Sequence, residues 1–362
     1  MDVVIRADAS AQLGTGHVMR CLTLAHMLKQ EGARVAFISG DIPTALEHLV
    51  SRDFLLHGLK VPIRMEGSIA SEKDALETIQ YLNYRGKPDC MVIDNYSIGL
   101  DWERQVRPHV ERIMVIDDLA DRAHDCDVLL DQNLCPNFET RYDGLVPSHT
   151  RKLLGPKYAL LRPEFYEARG PLRGRDGQIK SILISFGGTD PSNETAKALQ
   201  AMLLLGGPSS TKLEVVLGGS NAQAEAVSNL CSKLAYARLH RDISNMAELM
   251  ANADLAIGAL GTTTWERCLL GLPAIAIVLA RNQQFVGEGV SSAGAIVNLG
   301  WHSEVTPAKL AEAVAQLRDH PQTVREMGKA ALRIMRDNDG AARRQILGAI
   351  LNWKEQGHGQ PI

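Results

Sequence analysis

The feature that most limits the possible folds of this chain is a pattern that occurs twice: an apolar strand, a glycine turn and a helix. Near the start, a β-branched strand at 3–5 leads through Gly14-Thr15-Gly16 into a helix with apolar residues at 18, 21, 22, 25 and 28. The pattern returns with a strand at 181–185, a turn at Gly187-Gly188 and a helix from Glu194 onward. Strands that alternate with helices in this way predict parallel sheets.

Further short apolar runs predict the remaining strands and two domains. They lie at 34–38, 90–93, 113–116, 128–130, 213–217, 254–257 and 274–279, and a segment at 169–177 has the composition of a linker. We therefore expect an α/β fold of two Rossmann-like domains facing a cleft, at 1–165 and 178–362. The last helix could pack back on the N-terminal domain. Periodic apolar residues such as Leu310, Ile346 and Trp353 predict one or two amphipathic helices near the end.

Composition argues against several classes of protein. Of 362 residues, 22% are charged and 5% are aromatic, and the net charge is −3, so no basic surface for nucleic acid is indicated. No apolar run approaches the ~20 residues of a membrane helix, and no secretory signal is recognised. The six cysteines have no paired spacing, and no metal-binding motif occurs. We expect a cytoplasmic protein with a small-molecule partner, no metal or cofactor, and no nucleic-acid or membrane partner.

The first glycine turn brings an ionisable ring to the start of a helix. Gly14, Thr15 and Gly16 precede His17, so bare backbone N–H groups and the positive end of the helix dipole lie beside the ring. A tight turn that needs positive φ explains the glycines, and a capping or packing role explains His17. Because a helix N-terminus disfavours imidazolium, a neutral His17 would instead be available as a base. Both interpretations stay open on the pattern alone.

The glycine turn of the second half has two features with different interpretations. The bare backbone at Gly187 and Gly188 would let a diphosphate approach closely. Asp190 stands before Pro191, and this pair predicts a helix with Asp190 as its N-cap and proline as its first residue.

A third turn, after the strand at 254–257, combines small and hydroxyl residues with a carboxylate. Gly261, Thr262 and Thr263 suit phosphate oxygens, and Glu266 could bind ribose hydroxyls. The structural alternative is a capping box from Thr263 to Glu266, which needs no ligand. The helix that follows is predicted to stop at Gly271.

Polar residues follow three more predicted strands and should face the same cleft. They are Asp94-Asn95-Tyr96, Asp117-Asp118 and the segment 281–284. Because adjacent carboxylates point in different directions, Asp117 and Asp118 are interpreted as caps of a strand end, not as a catalytic pair.

Several of these blocks together resemble a known family. Residues 5–8 with 14–22, 185–191, 245–258, 264–268, 271–273 and 282–283 resemble the UDP-sugar hydrolases of pseudaminic acid biosynthesis, over nearly the whole chain. The resemblance implies the two-domain GT-B fold of UDP-dependent glycosyltransferases. It also implies release of UDP from UDP-2,4-diacetamido-2,4,6-trideoxy-β-L-altropyranose by anomeric C–O cleavage, with inversion and without a metal.

The resemblance also implies roles for individual residues. His17 would be the catalytic base, Tyr96 would hold the sugar, and Glu266 would hold the ribose. The backbone of Met246 would lie near uracil, and Asn282 near the sugar or the diphosphate. With the glycine turns, the substrate-binding residues are then Gly14, Thr15, Gly16, Arg20, Tyr96, Gly187, Gly188, Met246, Gly261, Thr262, Thr263, Glu266 and Asn282.

The chain departs from the family at one position, and three different functions compete with hydrolysis. The family usually carries a glycine just before Gly261, where this chain has Leu260, so the phosphate contacts there could differ. A GT-B glycosyltransferase would use the same UDP-sugar but transfer the sugar to an acceptor. A hydrolysing 2-epimerase would invert C2 of the sugar through an elimination. A UDP-sugar-binding protein without activity would use the same pocket for binding alone.

Overall fold

The chain forms two compact units. The structure, a computed structural model, describes residues 1–10, 14–60, 68–170, 174–206, 211–219, 221–241 and 243–351. Unit 1 comprises Met1–Asn133, Asn137–Leu160 and the chain from Asn338 onward, and unit 2 comprises Leu134–Pro136 and Leu161–Asp337. Trp353 and residues 171–173 of the predicted linker lie outside the described residues.

Unit 1 is a parallel seven-stranded sheet with helices on both faces. Its strands run in the order β3-β2-β1-β4-β5-β6-β7. They are β1 (Asp2–Ala7), β2 (Arg34–Ser39), β3 (Leu55–Gly58), β4 (Cys90–Asp94), β5 (Ile113–Ile116), β6 (Val128–Asp131) and β7 (Arg151–Leu154). Its helices are α1 (Gly16–Gln30), α2 (Thr44–Ser51), α3 (Ser68–Arg85), α4 (Leu100–Val106) and α13 (Gly340–Leu351).

Unit 2 repeats the plan with a parallel six-stranded sheet, in the order β10-β9-β8-β11-β12-β13. The strands are β8 (Ser181–Ser185), β9 (Lys212–Leu217), β10 (Ala237–Arg241), β11 (Leu255–Ala259), β12 (Ala274–Val278) and β13 (Ile296–Trp301). The helices are α5 (Pro163–Arg169), α6 (Glu194–Leu204), α7 (Ala224–Cys231), α8 (Met246–Asn252), α9 (Thr263–Leu269), α10 (Gln284–Ser292), α11 (Pro307–Asp319) and α12 (Pro321–Ile334). The predicted fold class, two Rossmann-like α/β units, is confirmed, whereas the cleft between them stays a prediction.

Successive side chains of the central strands of unit 1 point to opposite faces of the sheet, and apolar side chains form a core on each face. Val3 and Ile5 of β1 pack in a core with α1 and α13, whereas Val4 faces the core that contains Trp102 of α4. Since both faces are covered, the central strands are continuous apolar runs, as parallel sheets require.

Two helices end at a left-handed glycine, and one of these ends, at Gly271, was predicted and is confirmed. Gly32 has φ +82°, and the N–H groups of Gly32 and Ala33 donate to the carbonyls of Lys29 and Leu28. Gly271 has φ +60° and ends α9 with the equivalent pair of bonds. Both are Schellman motifs, in which only glycine adopts the left-handed conformation without strain.

The helices near the end of the chain differ from the prediction. Three helices, α11, α12 and α13, stand where one or two were expected. Pro307 and Pro321 each open a helix, a position at which the missing proline N–H costs nothing. The second proline therefore starts a new helix after α11 ends.

Candidate active site

In each unit, most of the predicted site residues follow the two strands between which the strand order reverses, whereas Met246 and Asn282 follow β10 and β12. In unit 1 the order reverses between β1 and β4, and in unit 2 between β8 and β11. In open parallel sheets, ligands bind outside the carboxyl ends of the strands at such a switch point. Gly14, Thr15, Gly16, His17, Arg20 and Tyr96 belong to unit 1, and the remaining predicted residues to unit 2.

His17 is held by a buried carboxylate at the end of the neighbouring strand. It is the second residue of α1, and its Nδ1 lies 2.5 Å from Oδ1 of Asp94, the last residue of β4. Burial alone would raise the pKa of Asp94, but the charges of Arg20 and His17 hold that pKa well below its usual range. An ionised Asp94 can only accept a hydrogen bond, so His17 Nδ1 carries the proton in this contact. Among the described residues, none forms a hydrogen bond with Nε2.

Of the two glycines in the turn before His17, only Gly14 has the positive φ that a tight turn predicts. Gly14 has φ +76°, and its N–H donates to the carbonyl of Ser10 over 2.8 Å. Thr15 is the N-cap of α1, without a side-chain capping bond, and Gly16 is the first residue of the helix. Positive φ at Gly14 is therefore the structural reason for that glycine.

Arg20 joins the ends of two strands one helical turn after His17. Its Nε and Nη2 donate to the two oxygens of Asp94 over 2.6 and 2.7 Å, and its Nη1 donates to Asp118 Oδ1 over 2.9 Å. Tyr96 donates its hydroxyl to Asp118 Oδ2 over 2.6 Å, and its ring lies edge-on to His17 with centroids 4.4 Å apart. Asn133 donates to Asp118 Oδ1 over 2.6 Å. Arg20, predicted to bind substrate, is thus occupied with two carboxylates, each paired and hydrogen-bonded.

A second buried cluster fixes the loops next to this network. Asp8 accepts bonds from Arg6 over 2.5 Å, from the Gly40 N–H over 2.7 Å and from Asn95 Nδ2 over 2.6 Å. The side chain of Asp8 therefore connects the ends of β1, β2 and β4. Asn95 lies between Asp94 and Tyr96, so this cluster supports both.

The first glycine turn of unit 2 packs against backbone, and its helix begins at Glu194, as one prediction had it, but with a different N-cap from the one predicted. A Cβ on Gly218, after β9, would lie 2.3 Å from the carbonyl oxygen of Gly188. The prediction that Asp190 is the N-cap with Pro191 first in the helix is wrong, because Asn193 is the N-cap and is left-handed, with φ +57°. The Asp190 carboxylate still accepts from the N–H groups of Glu194 and Thr195 over 2.8 and 2.9 Å. It therefore caps α6 from three residues before its N-cap.

The turn from Leu260 to Thr263 presents backbone donors. In the part of the chain that the structure describes, the N–H groups of Gly261, Thr262 and Thr263 have no acceptor. The capping box is not formed, since Thr262 is the N-cap and no side chain caps the helix. Glu266 Oε1 instead accepts from Arg162 over 3.2 Å, and burial raises the pKa of Glu266 although Arg162 opposes this. This turn therefore has the donors that an anion would need.

Residues around that turn occupy defined positions. The buried Leu260 side chain packs toward α10, where a Cβ on Gly287 would lie 2.8 Å from it, so it does not cover the turn. Gln283 accepts from the N–H groups of Leu279 and Leu260 over 2.9 and 3.4 Å and links the ends of β12 and β11. Asn282 and Met246 are both half-buried. Asn282 lies in the short segment that follows β12, and Met246 is the first residue of α8.

Four residues of these sites had no predicted role in binding or catalysis. Asp94, Asp118 and Gln283 were expected only to face the cleft as polar residues after strands, and Gly218 was not singled out. Each follows or ends a strand, and that position was the available signal. The pairs that Arg20 forms, however, join residues far apart along the chain, 74 residues apart for Asp94 and 98 for Asp118. No pattern of spacing specifies such a pair.

The described residues contain no group of three or more His, Cys, Asp or Glu that could hold a metal ion. No described helix has the length and apolar character needed to span a bilayer.

Comparison with known proteins adds sequence and fold similarity. Residues 182–343 match the model of the glycosyltransferase family 28 C-terminal domain. The chain is 29% identical over 290 residues to the uncharacterized protein MJ1062 of Methanocaldococcus jannaschii, covering 78% of this chain but 56% of that protein. It therefore spans little more than half the length of that relative.

A second relative and a solved structure match over most of their length. The chain is 25% identical over 295 residues to the UDP-2,4-diacetamido-2,4,6-trideoxy-β-L-altropyranose hydrolase of Campylobacter jejuni, covering 81% of this chain and 97% of that enzyme. The crystal structure of Acinetobacter baumannii MurG has a TM-score of 0.66 at 19% identity, covering 97% of this chain and 99% of MurG. That likeness concerns the fold alone. The chain is thus similar, along most of its length, to an enzyme that acts on a UDP-sugar.

Proposed function

We propose that this protein is a metal-independent hydrolase that releases UDP from a UDP-sugar with inversion at the anomeric carbon. The observation that carries the proposal is the contact between His17 and Asp94 at the switch point of unit 1. A buried, ionised carboxylate fixes the ring and its tautomer, and the opposite ring nitrogen is left without a hydrogen-bond partner among the described residues. A histidine held in this way suits a general base.

The proposed reaction uses one base and a good leaving group. His17 Nε2 takes a proton from water while the water oxygen forms a bond to the anomeric carbon. The bond from that carbon to the phosphate oxygen breaks on the opposite face, and UDP leaves with the bonding electrons. Asp94 stabilises the imidazolium that forms. Inverting glycosidases need a second carboxyl group to protonate the leaving oxygen, but a nucleoside diphosphate leaves without one.

We propose that unit 2 holds the nucleotide. Gly187, Gly188, Gly261, Thr262 and Thr263 offer a bare backbone or free N–H groups that suit a diphosphate. In the same proposal Glu266 accepts ribose hydroxyls, Met246 lies near uracil, and Asn282 lies near the sugar or diphosphate. In unit 1, Tyr96 and the turn Gly14-Thr15-Gly16 bind the sugar side, and Arg20 holds Asp94 and Asp118 in place beside them. N–H donors stabilise the charge that develops on the leaving group without a metal.

We further propose 2,4-diacetamido-2,4,6-trideoxy-β-L-altropyranose as the sugar, in the biosynthesis of pseudaminic acid in the cytoplasm. The support is the similarity to the Campylobacter jejuni hydrolase, which this chain matches over nearly that enzyme's entire length. A different sugar would leave the roles of His17 and Asp94 unchanged.

Proton NMR of the wild-type protein with this UDP-sugar tests the proposal. We expect UDP release with the inverted free anomer appearing first, and the same rate in excess EDTA. His17→Ala should lower turnover by about 10²-fold or more and leave UDP affinity unchanged. Asp94→Asn should lower turnover because the amide no longer fixes the Nδ1–H tautomer.

The matched control is His48→Ala, which removes an exposed histidine of the same unit. Full activity of His17→Ala would exclude His17 as the base, and loss of activity in EDTA would exclude the metal-independent mechanism. Retention of configuration would exclude direct attack by water.

A glycosyltransferase is the second candidate, favoured by the match of residues 182–343 to a glycosyltransferase family model. In that case His17 would deprotonate an acceptor hydroxyl in place of water. UDP binding without UDP release, until an acceptor is added, would support this candidate over the hydrolase.

A further inference from the structure

Arg267 of α9 is a buried cation that has no carboxylate in direct contact among the described residues. The residue is 3% exposed, and its Nη2 donates to the carbonyl of Ala259 over 2.6 Å and to Thr264 Oγ1 over 3.2 Å. Its Nε is buried and has no acceptor. Within the described ranges, no carboxylate lies within 4.0 Å of the guanidinium. Burial lowers its pKa to about 10, so Arg267 remains charged at neutral pH.

Two further buried arginines show how this chain normally accommodates such a charge. Arg6 pairs with Asp8 and Asp74, and Arg20 pairs with Asp94 and Asp118. A buried ion without a partner is strongly unfavourable. Glu266, the preceding residue, is a carboxylate that acts on the Arg267 charge, but its Oε1 is paired with Arg162. The Arg267 charge is therefore only partly compensated, and an external anion could balance it.

The position of Arg267 identifies where that anion would bind. The two groups that accept bonds from Arg267, the Ala259 carbonyl and Thr264 Oγ1, lie on either side of the turn from Leu260 to Thr263. The guanidinium therefore links the two ends of this turn. Nη1 lies 2.8 Å from the position that a Cβ on Gly258 would take. The three N–H groups without an acceptor, at Gly261, Thr262 and Thr263, belong to the same turn. A buried positive charge and a row of free donors thus occur together.

We propose that Arg267 is a positioning residue for a nucleoside diphosphate: its buried charge stabilises the diphosphate through the turn whose ends it links, without direct contact. This inference rests on the proposed function. It gives the protein a preference for diphosphate over the bare nucleoside, because a uridine lacks the charge that Arg267 attracts. In this proposal, the shape of the turn and the positive charge beside it both depend on the Arg267 side chain.

Calorimetric titration with UDP and with uridine tests the inference in variants of the full chain. Arg267→Gln keeps a donor for the Ala259 carbonyl but removes the charge, and Arg267→Lys keeps the charge. We expect the Kd for UDP to rise about 10-fold or more in Arg267→Gln and less than about 3-fold in Arg267→Lys. The Kd for uridine should stay within about 2-fold of wild type in both.

Arg267→Met covers the case in which the glutamine variant does not fold, since apolar replacements of buried ions are often tolerated. Equal weakening of UDP and uridine, or an unchanged ratio of the two in Arg267→Gln, would overturn the role of Arg267. So would a lysine variant that weakens UDP as much as the glutamine variant. Failure of the wild type to bind UDP would instead overturn the proposed function itself.

Discussion

Asp94 and Asp131 are both buried at strand ends of unit 1, yet their surroundings shift their pKa values in opposite directions. Asp94 accepts two bonds from Arg20 and lies against His17, which together outweigh its burial. Asp131 is mainly affected by burial and by the nearby negative charge of Asp118, which raise its pKa to about 7 although Arg141 opposes the shift. Since both carboxyl groups are buried at a strand end, the charges next to them decide the direction in which each pKa shifts.

The raised pKa of Asp131 predicts that its contribution to stability decreases as pH rises. The native state binds its proton up to about pH 7 and the unfolded state only to about pH 4, so the native state binds more protons within that window. The free energy of unfolding therefore falls between these limits. We expect Asp131→Asn, which does not titrate, to gain on the order of 1–4 kcal/mol relative to wild type between pH 5 and pH 8.

Urea denaturation of both proteins at pH 5 and pH 8 measures this difference. Asp101→Asn, which removes an exposed carboxylate on α4, is the control and should show no such change. A difference between wild type and Asp131→Asn that is the same at both pH values would contradict the prediction.

At the scale of the element, the sequence predicted the central strands and missed the edges. Within the described residues, the four unpredicted strands are β3, β7, β10 and β13, and each is at the edge of its sheet. An edge strand is partly exposed and carries polar residues, as in Ala-Arg-Leu-His-Arg of β10. The continuous apolar run that marks a buried parallel strand is then absent.

The candidate site was predictable in part for a similar reason. His17, Tyr96 and the glycine turns follow strands, and strand ends can be recognised from local pattern and resemblance. The pairing of Arg20 with Asp94 and Asp118 depends on which strands lie side by side. The bonds of Arg267 across the turn from Leu260 to Thr263 could not be predicted either, because the helical pattern would assign this buried side chain to the core.

Close packing of two strand ends in unit 2 predicts different costs for two similar substitutions. A Cβ on Gly218 would lie 2.3 to 2.6 Å from the backbone of Gly188, so one turn must shift. A Cβ on Gly261 meets nothing within 4 Å, and its φ is not positive. We expect Gly218→Ala to lower the free energy of unfolding by about 1–3 kcal/mol and Gly261→Ala to change it by less than about 0.5 kcal/mol.

Thermal and urea unfolding of the two variants against wild type provide the measurement. Equal stability of the two alanine variants would show that the Gly188 turn moves freely, contrary to the packing argument.

At the scale of the whole molecule, unit 1 is built from both ends of the chain. The chain leaves this unit after Leu160 and returns at Asn338. Asn338 Nδ2 lies within hydrogen-bond distance of the carbonyls of Pro156, Lys157 and Ala159, and Arg112 donates to the carbonyl of Ile350 over 2.8 Å. The core around α1 and β1 is therefore complete only when α13 is in place.

This topology predicts that a substitution near the C-terminus destabilises the N-terminal sheet. Ile350 is fully buried in the core that contains β1, so Ile350→Ala should lower the stability of unit 1 by about 2–5 kcal/mol. Hydrogen exchange should become faster in β1 and β2 and stay unchanged in β8, whose core is separate. Leu204→Ala, at a side chain 64% exposed on α6, is the control and should change neither. Faster exchange confined to α13 itself would mean that the helix detaches while the sheet stays intact, and the dependence of the unit 1 core on both ends of the chain would then be wrong.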